Sequence, residues 1–149
     1  MTNKRRLAIA DDDGSHIMAV YVEPGGEGFE GADLSGLSAI GIQNLRGGCF
    51  RGAVLYWANL ARADLSGCNF ENSDMCGAVL DDALAVNANF RGARLCRDNL
   101  GGATSLQGAD FTGAELEGAD LNGAKYDKRT KFPKGFNPTE AGCIFVDTT

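Results

Sequence analysis

The chain has 149 residues, 44% of them hydrophobic and 23% charged, with a formal net charge of −6. That length suits one domain with a continuous core. The moderate negative charge argues against indiscriminate binding to nucleic acid or an anionic membrane. No apolar stretch approaches membrane-spanning length, and the run after Lys4-Arg5-Arg6 meets Asp11-Asp12-Asp13 too early for a secretory signal.

In chain order, Arg6 to Ala10 and Ile17 to Val22 read as strand-like runs around Asp13-Gly14, a predicted hairpin. The acidic turn does not match a calcium loop. Aligning Asp11, Asp13 and Gly14 to that pattern puts Ile9 at the first ligand position and Val20 where a bidentate Glu belongs. His16, the only histidine, has no nucleophile or metal pattern near it. Pro24-Gly25-Gly26 marks a boundary, so residues 1–28 are read as an N-terminal capping segment.

Residues 29–126 form a tandem repeat of five-residue units such as A-D-L-S-G, A-N-F-R-G and A-D-F-T-G. Each unit has an apolar centre, usually a small residue two positions before it, and often a closing glycine. Neither regular element accommodates a period of five. On a helix each step advances about 140° and smears the apolar positions, and on a straight strand an odd step flips the side chain. The chain must therefore turn once per unit, which makes a solenoid whose stacked coils share a core.

Phe29, Phe50, Phe70, Phe90 and Phe111 recur every fourth unit, so four units are expected to close one coil. The other predicted columns are Leu34-Leu55-Met75-Leu95-Leu116, Ile40-Leu60-Leu80-Leu100-Leu121 and Leu45-Leu65-Ala85-Leu106-Tyr126. One-residue insertions are expected between Leu34 and Ile40 and between Leu100 and Leu106. About five coils result, a rod of roughly 24 Å at a strand spacing of about 4.8 Å.

These A-(D/N)-(L/F)-x-x units resemble the pentapeptide repeat family, and the stretch from Tyr126 to Pro138 resembles the end of many bacterial members. The resemblance implies an all-β fold, a right-handed quadrilateral parallel β-helix. Residues 127–149 are read as the C-terminal cap. Asn137-Pro138-Thr139-Glu140 is expected to start one helical turn, and Phe132, Phe136, Ile144 and Phe145 are expected to form an apolar lid.

Several residues stand out against the repeat. Val54, Tyr56 and Trp57 flank Leu55 and are expected to point outward as a protein-interaction surface, or else to pack beneath the hairpin. Leu84 and Val86 flank Ala85 in the same way, and Ala85 is a poor core filler, so either Ala85 or Leu84 faces the core. Cys76 and Cys96 occupy equivalent positions in adjacent coils. A disulfide or a soft-metal site is conceivable there, but two surface thiols are the preferred expectation. Cys68 replaces an inward alanine and is expected to be buried and inert. Asp98, Gln43 and Thr104 take the inward small position of their units. Asp98 would then need backbone N–H partners at a nearby irregular corner.

No nucleophile, P-loop or metal pattern occurs anywhere, so no catalytic residue, cofactor or metal is expected. The five cysteines contain no CxxC and suggest a reducing, cytoplasmic setting. The expected function is a rigid scaffold for an unidentified protein partner, as a monomer or dimer, without nucleic acid or membrane. The resemblance suggests an alternative, an acidic mimic of duplex DNA that binds a type II topoisomerase. Duplex DNA over 24 Å would carry about 14 negative charges. Residues 29–126 hold twelve acidic and seven basic residues, with six arginines breaking any acidic stripe.

Overall fold

One unit shows why the sequence repeats every five residues. The centre Leu65 is fully buried, and its N–H donates to Leu84 O of the next coil at 2.7 Å. Ser66 N–H donates to Asp64 Oδ1 at 3.0 Å. Gly67 N–H donates to Val86 O, Cys68 N–H closes a turn on Leu65 O, and Asn69 N–H reaches back to Gly48 O. Every N–H of the unit thus has a partner, as a coil with no continuous strand requires. Where an Asp or Asn precedes the centre, it supplies the one acceptor that the backbone cannot. Asn59, Asn69, Asp74, Asn89, Asp110 and Asp120 do the same in their units. The turn needs a positive φ two residues after the centre, +68° at Gly67, which explains the closing glycine.

The computed structural model describes residues 5–10, 17–22, 28–43 and 45–148. Strands β1 (Arg5–Ala10) and β2 (Ile17–Val22) pair antiparallel, with Ala10 opposite Ile17. The acidic turn, His16 and the Pro24-Gly25-Gly26 boundary lie outside the described residues. In the repeats, parallel bridges define four columns. They run through Gly28, Cys49, Asn69, Asn89 and Glu115; Asp33, Val54, Asp74, Arg94 and Asp120; Ser38, Asn59, Val79, Ser105 and Lys125; and Asp64, Leu84, Asp110 and Lys131. The residue after each bridge is the interior centre.

These columns correct the expected register at both insertions. Ile40 is not a centre: Ala39 is, and it is fully buried while Ile40 is only partly covered. The extra residue lies one unit later, between Ile42 and Leu45, where turns close on Ala39 O and on Leu45 O. The expected centre was misread because Leu37 fills the small position and Ala39 the large one, an exchange of volumes that leaves the core filled. Gln43 is consequently exposed, and Ile42 takes the inward position.

Leu100 is also not a centre; it is 80% exposed. Val79 bridges Ser105, so this coil takes 26 residues and not 21. Residues 97–102 carry a six-residue excursion that departs beyond Arg97, whose N–H still pairs with Asn122 O at 3.1 Å, and Thr104 resumes the repeat. Phe111 then falls in the fourth column, above Ala85 and below Phe132, and not above Phe90. Phe29, Phe50, Phe70 and Phe90 stack at centroid distances of 4.7, 4.8 and 5.0 Å, but Phe90 meets Phe111 edge-on at 5.5 Å. Leu116 continues the phenylalanine column, Leu121 the second column, and Leu106 and Tyr126 the third, each one column earlier than expected. Ala85 faces the core, and its small side chain leaves room for the Phe111 ring.

After Tyr126 the chain crosses the end of the coils. β3 (Lys125–Tyr126) pairs parallel with β4 (Ile144–Phe145), and Phe132 stacks on Phe111 at 6.1 Å. Asn137 Oδ1 accepts from Thr139 and Glu140 N–H, starting a single turn. Phe132 and Phe136 are partly covered, but Ile144 and Phe145 are 40% and 54% exposed. Asp127 anchors the segment. It is 1% exposed and accepts from Gly108 N–H, Arg129 N–H, Nε and Nη2, and Thr148 Oγ1.

Candidate functional site

The least regular side of the rod is the second column, where Leu55, Met75 and Leu95 stack. Two residues after Leu55 comes Trp57, with φ +57° in a position that elsewhere favours glycine. A bulky side chain in that left-handed region costs about 1–2 kcal/mol, so surrounding contacts must hold it there. The indole lies over Gly77, where a Cβ would come within 2.5 Å of Cδ1. Gly77, itself at φ +75°, is needed for that approach. Trp57 Nε1–H donates to Asp98 Oδ2 at 2.5 Å, and the residue remains 52% exposed.

Asp98 organises the excursion and does not point inward. Its Oδ1 accepts from Leu100 N–H at 2.8 Å and Gly102 N–H at 2.6 Å. The Trp57 hydrogen bond and these backbone donors hold its carboxyl below the usual carboxylate value against the opposing pull of burial. Backbone partners at an irregular corner were expected from the sequence, and they are present. Thr104 repairs the ladder that the excursion interrupts. Its buried hydroxyl accepts from Gly77 N–H at 3.0 Å and lies 2.9 Å from Cys96 O and 3.1 Å from Met75 O.

Cys76 and Cys96 follow Met75 and Leu95, one coil apart. They point away from the coil yet are 0% and 6% exposed, which corrects the expectation of surface thiols. Trp57, Tyr56, Arg94 and the excursion cover them. Their sulfurs lie 2.6 Å apart. Burial, then the shared hydrogen bond with Cys96, pushes the Cys76 thiol well above its ordinary value. Arg94 donates to Asp74 Oδ2 at 2.7 Å and to Tyr56 Oη at 3.5 Å, with Nη2 3.8 Å from Cys96 Sγ. The hydrogen bond to Asp74 raises the Tyr56 phenol above its ordinary value. A cleft of about 420 Å³ opens over this group, lined by Tyr56, Trp57, Cys76, Arg94, Arg97 and Asp98 among others.

The sequence-predicted surface residues do not form one patch. Val54 and Tyr56, both partly covered, and Trp57 share the second column. Leu84, 45% exposed, and Val86, partly covered, flank the fourth column on the opposite side. Sequence reasoning missed the parts played by Gly77, Arg94 and Thr104. The available signals were Asp98 and Thr104 in slots that otherwise hold alanine, and the paired Gly101-Gly102 beside them. Among the described residues no cluster of three or more His, Cys, Asp or Glu side chains could hold a metal ion. No helix among them is long and apolar enough to cross a membrane.

A family model described as pentapeptide repeats matches residues 44–75, 63–102 and 102–125, with eight copies. None of the curated proteins matches the chain. Among solved structures the chain is similar to HetL, a pentapeptide repeat protein involved in heterocyst differentiation regulation from the cyanobacterium Nostoc sp. strain PCC 7120. The identity is 31%, the TM-score 0.54, and the match covers 66% of this chain and 43% of that one. The chain therefore spans less than half the length of HetL. It is also similar to a pentapeptide repeat protein of the Arabidopsis thaliana thylakoid lumen, at 28% identity and a TM-score of 0.53, covering 67% and 68% of the two chains. The fold of such neighbours is the right-handed quadrilateral β-helix.

Proposed function

Because the chain belongs to the pentapeptide repeat family, we propose that it is a rigid, non-catalytic scaffold that binds a protein partner through the side carrying Val54, Tyr56 and Trp57. On this reading the protein is a rod of about five coils, covered at one end by the β1–β2 hairpin and at the other by residues 127–149. Trp57 carries the reading. It is a large exposed aromatic, strained in its backbone and fixed by Asp98 and Gly77, at a position that other units fill with glycine, Asn, Asp or Arg. Aromatic anchors held in advance of binding are what protein interfaces use most effectively. The five cysteines, without a CxxC pattern, support a reducing and cytoplasmic setting.

The surface ion pairs favour this reading over an acidic imitation of DNA. Arg91 sits 3.1 Å from Glu115 and 3.3 Å from Glu117, Arg51 lies 3.8 Å from Glu71, and Arg94 lies 2.7 Å from Asp74. Positive charge thus interrupts the acidic residues along the rod.

The test is quantitative affinity capture with wild type, Trp57→Gly, and the opposite-side variant Leu84→Ser with Val86→Ser. Glycine suits the local φ, so Trp57→Gly should fold. The reading expects one set of captured proteins to be lost with Trp57→Gly and kept with the opposite-side variant. Identical capture by wild type and Trp57→Gly would overturn it.

A further inference from the structure

We propose that Cys76 and Cys96 are a reversible redox pair: a small hydroperoxide entering the cleft converts them to a disulfide between adjacent coils, and a dithiol reductant reopens it. This stands apart from the scaffold reading and does not depend on any partner.

The register places the pair. Asp74 bridges Arg94, so the cysteines two residues further on lie side by side in neighbouring parallel coils. The coil spacing of about 4.8 Å falls inside the Cα separation of roughly 4.4–6.8 Å that a disulfide spans. The two sulfurs, 2.6 Å apart, already face each other. The remaining cysteines offer no such neighbour. Cys68 Sγ donates to Leu45 O at 3.0 Å, and Cys143 Sγ lies 3.7 Å from Leu121 O.

The cleft supplies access and charge. Cys76 lines it together with Arg94 and Arg97. The Arg94 guanidinium places a positive charge 3.8 Å from Cys96 Sγ. Cys96, 6% exposed where Cys76 is fully buried, is the attacking thiol and Cys76 the resolving one. The Cys96 thiolate forms an S–O bond with the hydroperoxide as the O–O bond breaks, and the leaving oxygen takes a proton to become water or an alcohol. Cys76, losing its proton, then attacks the sulfenic sulfur. The S–S bond forms, the S–O bond breaks, and hydroxide leaves as water. In total the two thiols lose two electrons and two protons, and the hydroperoxide is reduced. A dithiol reverses the change by exchange and ends as its own disulfide.

The test treats the full chain with hydrogen peroxide, then alkylates free thiols and maps the peptides without reduction. The proposal expects a mass loss of two hydrogens, a linked peptide pair containing Cys76 and Cys96, and recovery of both thiols with dithiothreitol. In Cys76→Ser the two-hydrogen loss should vanish and Cys96 should be trapped by dimedone as the sulfenic acid. Both cysteines remaining alkylatable in treated wild type would overturn the proposal, as would a link to Cys49, Cys68 or Cys143. The same two-hydrogen loss in Cys76→Ser would also overturn it. The wild-type map decides the matter even if the variant does not fold.

Discussion

The coils between Leu45 and Leu95 and the excursion at residues 97–102 solve the same problem in different ways. In the regular coils most backbone N–H groups find their partners by repetition, so the side chains largely repeat as well. At the excursion the next coil is displaced, and unrelated side chains must supply what the backbone no longer does. Thr104 takes over for a ladder acceptor, Asp98 binds its own loop, and Trp57 leans across Gly77 to reach Asp98. Distinctive chemistry accumulates where the repeat is broken, because only there is a side chain released from the repeat's rule.

The largest expected effect tests the regular side of that comparison. Phe70→Ala removes a fully buried ring stacked on both neighbours and should cost about 3–5 kcal/mol in denaturant unfolding. Leu100→Ser, on the exposed excursion, should change stability by no more than about 0.5 kcal/mol. Comparable losses in the two variants would mean that Leu100 is packed.

Asp127 comes next. Burial alone would raise its carboxyl, but donors from Thr148, Gly108 and Arg129 outweigh it and hold the group well below the ordinary carboxylate value. A depressed folded-state value stabilises above the unfolded value near pH 4, and that stability is lost as pH falls through the folded one. Asp127→Asn should therefore be less stable at pH 7 and should flatten the acid limb of the stability profile below about pH 4. An unchanged acid limb would remove Asp127 as the anchor of the C-terminal segment.

Smaller effects sharpen the contrast. Thr104→Val keeps the shape but loses the hydroxyl that Gly77 N–H requires, and should cost about 1–3 kcal/mol. Arg62, at φ +58° in a regular coil, lacks the contacts that hold Trp57, so Arg62→Gly should stabilise by about 0.5–1 kcal/mol. A loss of stability in Arg62→Gly would undercut the strain argument made for Trp57.

Much of the fold was legible because a period of five allows few solutions. The inward centres and the small partner residue follow from it, and the four-sided section follows from the phenylalanine spacing. The failures came where volume imitates register. Ala39 with Leu37 hides a centre, since Ile40 looks the better core residue. Phe111 lies 21 residues after Phe90, so it resembles the next rung, although its ring fills the space above Ala85. Leu100 imitates a centre by sitting five residues after Leu95. The site was only half visible. Trp57 and the cysteines were noticed, but the burial of the cysteines and the link from Trp57 to Asp98 depend on a loop whose length the pattern concealed.

Deletion of residues 97–102 tests the central claim most directly, read as the denaturant unfolding curve of the shortened chain. If those residues lie outside the coil, Cys96 joins Ala103 and the five-residue period continues unbroken from Leu95 to Leu106. The deletion protein should then unfold in a single cooperative transition within about 1 kcal/mol of the parent. If Leu100 is instead a core centre, the deletion removes one side of a coil and misaligns everything after it. A chain with no cooperative transition would contradict the account.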